Sequence, residues 1–177
     1  MPAPSSALPS LDLPEPPQLA PHHLVVVAYG HPAPQGSKRL VRGRIIDANQ
    51  ESLHVWREDV KLAAIRAMEL TPSWERDYPA VVGHFQFTLP RPAYHHVARD
   101  PLRELRENAP RLHTVSPDLD KLLRSTWDAL VAAGVLADDN RLAEAWAAKL
   151  YPAQLGRAVA GELDRPGVRI VLSGMHR

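Results

Sequence analysis

Over residues 81–89 the chain alternates: Val81, Phe85, Phe87 and Leu89 stand against His84, Gln86 and Thr88. A period of two predicts a half-buried β-strand. Residues 24–29 (LVVVAY) and 168–172 (VRIVL) are short β-branched apolar runs and predict two more strands, the first of them buried. The period changes to that of a helix at Leu53, Trp56, Val60, Ala63, Ala64, Ala67 and Met68. Asp47 and Gln50 ahead of this stripe have capping-box spacing, so the helix is expected to open at Asp47, and Pro72 supplies the stop signal. A second stripe, Leu119, Leu122, Leu123, Thr126, Leu130 and Ala133, predicts a helix over 117–133 that ends at Gly134. Residues 141–149 (RLAEAWAAK) fit two states. Their alanines favour helix, but Leu142, Glu144, Trp146 and Ala148 share a face only in a strand.

The intervening segments are punctuated or basic. Residues 30–37 (GHPAPQGS) must be a loop, and residues 38–46 (KRLVRGRII) read as a basic edge strand or ribbon. Residues 90–115 have no clean period and carry several Arg and His, the mark of a long functional or disordered loop. Residues 150–166 read as a further loop. Residues 1–22 are rich in Pro, Ser and Ala and predict an extended, mobile tail, which leaves 23–177 as the folded domain. The resulting fold class is α/β (α+β): a small mixed β-sheet with two main helices packed on it, in a single domain.

Composition narrows the picture. A chain of 177 residues can bury one real core. The formal charge of +1 does not favour a massive nucleic-acid footprint but leaves room for a locally basic face. Having no cysteine excludes a disulfide scaffold, a thiolate zinc site and a cysteine nucleophile. No apolar run approaches the roughly 20 residues of a membrane span, and the first residues do not read as a signal peptide, so a cytoplasmic protein is expected. The nine histidines offer no His-x-x-x-His pair, so a structural zinc site is not expected. Neither a glycine-rich phosphate loop nor a Gly-x-Ser-x-Gly elbow is present, so no nucleotide cofactor is expected.

The candidate chemistry is concentrated in residues 116–139. Asp118-x-Asp120 heads the second helix, and Asp138-Asp139 follows its end. Carboxylates from two segments are what a hard cation such as Mg²⁺ takes. Residues two apart point to nearly opposite sides of a helix, each turning the chain by about 100°. Asp118 and Asp120 therefore converge only where the chain is extended, which Ser116-Pro117 favours. The same acids also have ordinary uses: a helix cap, an ion-pair stripe of Asp120, Arg124 and Asp128, and an Asp-Asp-Asn turn. The basic clusters Lys38/Arg39/Arg42/Arg44 and Arg99/Arg103/Arg106/Arg111 are either solvated loops or two arms that track a polyanion past an acidic centre.

Taken together, Asp118-Leu119-Asp120-Lys121-Leu122, Arg124, Asp128-Ala129-Leu130, Gly134-Val135-Leu136 and Asp138-Asp139 resemble the signature of the RusA-family Holliday junction resolvases. That signature runs D-x-D-N-x-x-K, D-A-L, then Gly with two hydrophobic residues, x-D-D, and a strand ending in Lys, here Lys149. The resemblance spans about residues 24–173. It implies an α/β endonuclease, dependent on Mg²⁺ with Mn²⁺ as the alternative ion, that cuts branched DNA at four-way junctions as a homodimer. It assigns catalysis to Asp118, Asp120, Asp139 and Arg124, and metal binding to the three aspartates with Asp138 beside them. Lys38, Arg39, Arg42, Arg44, Arg99, Arg103, Lys121 and Lys149 would then hold DNA. Two positions depart from the pattern: Lys121 stands where Asn is common, and Arg124 where Lys is common. Arginine can clamp phosphate but cannot donate a proton near neutral pH. The alternatives are a non-catalytic DNA-binding or assembly protein, and a nuclease for other branched DNA.

Overall fold

The computed structural model describes residues 22–36, 38–41, 44–47, 50–98, 104–153 and 161–176. The expected tail, apart from His22, therefore lies outside the described residues, as do Arg42, Arg99 and Arg103. A four-stranded sheet runs in the order β1 (His23–Tyr29), β6 (Gly167–Met175), β4 (Ala80–Thr88), β5 (Leu142–Leu150). A separate ribbon pairs β2 (Lys38–Val41) with β3 (Arg44–Asp47). The helices are α1 (Gln50–Leu70) and α2 (Leu119–Ala132). β6 is antiparallel to both β1 and β4, while β4 and β5 run parallel. Parallel neighbours need a crossover, and α2 supplies it. The architecture is the expected α+β one, a mixed sheet with two helices.

Both helices lie on one face of the sheet. Trp56, Val60 and Ala64 of α1 meet Leu24, Val26 and Ala28 of β1, Phe85 and Phe87 of β4, Ile170 and Leu172 of β6, and Leu122 and Leu130 of α2 in one core. Where the two helices meet, the Trp56 indole N–H donates to Thr126 Oγ1 at 3.1 Å, so the buried donor is satisfied. Burying a core of this size is what offsets the chain entropy lost on folding. The opposite face of β1 is open: Val25, Val27 and Tyr29 are 39%, 38% and 43% exposed. β1 is thus half-buried, where a fully buried strand was expected.

Pairing fills in the local detail. Asp47 closes β3 opposite Lys38 and α1 is described from Gln50, so the expected opening of that helix after Asp47 lies outside the described residues. Residues 141–149, left open between helix and strand, form β5. Its register slips between Val81 and Val82, so Leu142 faces Val81 on the core side and Glu144, Trp146 and Ala148 take the other face. The bulge thus removes Leu142 from the face it was expected to share. The described residues of the 90–115 loop carry local structure. A 3₁₀ turn spans Ala93–His95, and bridges join His96 to Leu105 and Leu112 to Leu150. Arg91, His95 and His113 gather on the ring of Tyr151 just beyond β5.

Candidate active site

The first acidic segment sits at the N-terminus of α2. Asp118 occupies the N-cap position in an extended conformation (φ −68°, ψ 139°), but its side chain makes no capping hydrogen bond. Its Oδ2 instead pairs with Lys121 Nζ at 2.7 Å. The turn before it is held from below by Lys149 Nζ, which donates to Val115 O at 2.6 Å and Pro117 O at 2.7 Å. Lys121, and to a lesser extent Lys149, keeps the Asp118 carboxyl below the usual carboxylate range, and Asp118 in turn raises Lys121. Asp120, in the first turn, is exposed. The N-terminus of α2 is therefore an open acidic tip in a field that favours negative charge.

The second acidic segment lies at the other end of α2. The helix stops at Gly134, whose φ of +76° is the left-handed conformation of a helix stop. Gly134 N–H donates to Val131 O and Val135 N–H to Leu130 O, the two bonds of a Schellman closure. The chain after it is pinned by Trp74 Nε1 to Val135 O (2.9 Å), Ala137 N to Arg76 O (3.2 Å) and Trp127 Nε1 to Asp139 O (3.3 Å). Asp138 Oδ1 accepts from Asn140 N at 3.2 Å, which lowers its pKa. Asp139 is pushed up, first by its hydrogen bond to Asp138 and then by the charge of Asp138, with a smaller push from Asp128. Two exposed carboxylates crowded in this way are relieved by a cation.

The two segments do not meet within one chain. The Asp139 backbone carbonyl accepts from the indole of Trp127, nine residues beyond Asp118 along α2, and Asp138 and Asp139 line a hollow with Asp128, Val131 and Ala132 toward the end of that helix. At about 1.5 Å rise per residue that separation is about 13 Å. Carboxylates that share one Mg²⁺ bind at about 2.0–2.1 Å, so a single ion cannot bridge the two ends of one helix.

Beside α2 runs a cleft of about 510 Å³ lined by Gln35, Gln50, His54, Arg57 and Arg124. The loop on its far wall is tied to α2 by Gln35 N to Lys121 O (3.1 Å) and by Ser125 Oγ to Ala33 O (2.7 Å). The expected stripe of Asp120, Arg124 and Asp128 is not a chain of ion pairs. Asp128 is taken by Arg57 of α1, which also donates to Gln35 Oε1 at 2.9 Å. Arg124 is exposed at the cleft and holds no ion pair among the described residues. Arg57 and His54 carry no periodic signal of a site. Arg57 meets Asp128 across 71 residues of sequence, beyond the reach of any local spacing.

The basic positions divide. Lys38, Arg39 and Arg44 lie on the β2–β3 ribbon. Lys149 holds the turn before Asp118, a positioning role the sequence did not suggest. In the long loop, Arg106 Nε donates to His96 O at 3.0 Å, and Arg111 pairs with Glu162.

A family model for the endodeoxyribonuclease RusA matches residues 30–159. The matched span contains both acidic segments, Arg124 and Lys149. No curated protein matches the chain.

Proposed function

The chain belongs to the RusA endodeoxyribonuclease family, and on that premise we propose that it is a divalent-metal-dependent endonuclease that resolves four-way DNA junctions as a homodimer. The observation that carries the reading is the display of exposed carboxylates at both ends of α2. Asp118 and Asp120 lie at the start, and the crowded Asp138 and Asp139 lie past the end. Their all-oxygen donor set fits a hard cation such as Mg²⁺ or Mn²⁺.

Since one chain keeps the two acidic ends apart, the economical way to unite them is a two-fold axis. An antiparallel pairing would bring Asp118 and Asp120 of one copy to Asp139 of a second copy, and would repeat the arrangement at the other end. Two such centres match the pseudo-two-fold symmetry of a four-way junction and the paired cuts that resolve it. When bound, the ion supplies Lewis acidity toward the scissile phosphate and the attacking water. Asp118, Asp120 and Asp139 provide its oxygens, with Asp138 orienting Asp139 through their hydrogen bond. Arg124 neutralises developing charge on the phosphate through two parallel N–H donors. It donates no proton, so the leaving 3′ oxygen takes one from solvent. The β2–β3 ribbon and the long loop would flank the junction arms with positive charge, as shape-directed backbone recognition requires.

A non-catalytic DNA-binding role draws on the pairing of Asp118 with Lys121 and of Asp128 with Arg57, which treats the acids as structural. A labelled synthetic junction separates the readings. Symmetric nicks that need Mg²⁺, stop with EDTA and spare linear duplex support the nuclease. Tight junction binding without cutting in Mg²⁺ or Mn²⁺ overturns it.

A further inference from the structure

His22, Glu75 and His176 stand apart in sequence but meet where β1 begins, β6 ends and the loop before β4 passes. One ligand atom of each lies within 4.8 Å of the others. We propose that these three side chains form a transition-metal site, suited first to Zn²⁺, distinct from the hard-cation centre at α2.

The rings are held in place by the fold. Gly174 N–H donates to His22 O at 3.0 Å, fixing the start of β1 on β6. Tyr78 lies beneath both histidines, 5.9 Å from the His22 ring and 5.0 Å from the His176 ring, and is backed by Trp74 at 5.0 Å. Gly174 makes room for that ring, because a Cβ there would sit 2.4 Å from Tyr78 Cε2. The two imidazoles meet edge to face with centroids 4.7 Å apart. His22 Nδ1 is buried and makes no hydrogen bond, leaving unmet a polar demand that a metal would satisfy.

The donor set decides the metal. Two imidazoles and one carboxylate are borderline-soft nitrogen ligands with a single oxygen, which suits Zn²⁺ and disfavours Mg²⁺. Zinc bonds of about 2.0–2.2 Å need the ligand atoms about 3.4 Å apart. Exposed Glu75 and His176 can close that gap by changing rotamer. Three protein ligands leave the fourth tetrahedral position to water. The site would tie the N-terminal end of β1 to the C-terminal end of β6. It would also tie both to the 71–79 loop, whose Trp74 and Arg76 hold the segment leading to Asp138. It therefore braces one acidic end of α2 from the side.

The test is zinc titration of the metal-free full-length chain, read by calorimetry, with Co²⁺ absorption as a probe of geometry. The proposal expects one Zn²⁺ per chain at micromolar or tighter affinity and tetrahedral Co²⁺ bands. A hundredfold excess over the Kd should raise the melting temperature by roughly 5–10 °C. His22→Ala and His176→Ala should each weaken binding at least thirtyfold, and Glu75→Gln about tenfold, while their metal-free melts stay close to wild type. Asp120→Asn and Asp139→Asn should bind zinc as wild type does. Zinc binding that is absent, or that survives His176→Ala and Glu75→Gln, overturns the site. So does binding lost in Asp139→Asn and kept in His22→Ala.

Discussion

Lys149 Nζ reaches the carbonyl of Pro117 at 2.7 Å, so the end of β5 sets the turn that presents Asp118. The same ammonium donates to Val115 O. Charge-assisted bonds of this kind are the strong ones, though solvent at the outer carbonyl moderates them. Lys149→Met should cost about 1–2 kcal/mol in urea unfolding. It should also lower the junction cleavage rate at saturating substrate by more than it weakens junction binding. Equal loss of binding and rate would instead make Lys149 a DNA contact.

Thr126→Val removes the acceptor of the Trp56 indole while keeping the shape of the side chain. Both residues are fully buried, so the N–H is left without a partner. The cost should be about 1–3 kcal/mol, measured as a fall in the urea midpoint with unchanged slope. Thr126→Ser, which keeps the acceptor, should recover the hydrogen-bond part of that loss.

Arg57→Ala and Asp128→Ala should not be additive. The pair joins α1 to α2 with side chains about a third exposed, 33% and 37%. A double-mutant cycle should give a coupling of about 0.5–1 kcal/mol, smaller in high salt. Zero coupling at low salt would mean that Arg57 serves the cleft alone.

The docked loop should make the protein acid-sensitive. Burial lowers the pKa of His95, and burial followed by the nearby charge of Lys149 lowers that of His113, both from 6.5. The neutral rings are therefore favoured in the folded state. Their contribution is full above the unfolded value near 6.5 and is lost as pH falls below it through the lowered folded values. The melting temperature should drop from about pH 6.5 downward, and His95→Phe or His113→Phe should flatten that slope.

What the sequence revealed and what it hid follow from the range of each interaction. The stripe from Leu119 to Leu130 gives α2, because helix periodicity is local. The alternation at Phe85 and Phe87 gives β4 for the same reason. β5 stayed ambiguous because its alanines suit a helix, and only pairing with β4 decides. The bulge at Leu142 is likewise a property of the pair. The acidic spacing was legible as a pattern. The separation of its two halves by the length of α2 was not, since a sequence carries no distance until the helix is built. Arg57 with Asp128, and the cluster of His22, Glu75 and His176, join residues far apart in the chain. Neither grouping leaves a trace in local residue spacing.

The central claim is that each metal centre draws Asp118 and Asp120 from one copy and Asp139 from the other. Mixing subunits tests it directly. Asp120→Asn and Asp139→Asn homodimers should each fail to cut a labelled four-way junction in Mg²⁺. After refolding together, the mixed dimer contains one doubly substituted centre and one intact centre. The account predicts that the mixture regains cutting as single nicks rather than paired ones. If both variants are dead alone and the mixture stays dead although mixed dimers have formed, each centre lies within one chain, and the shared-site account is wrong.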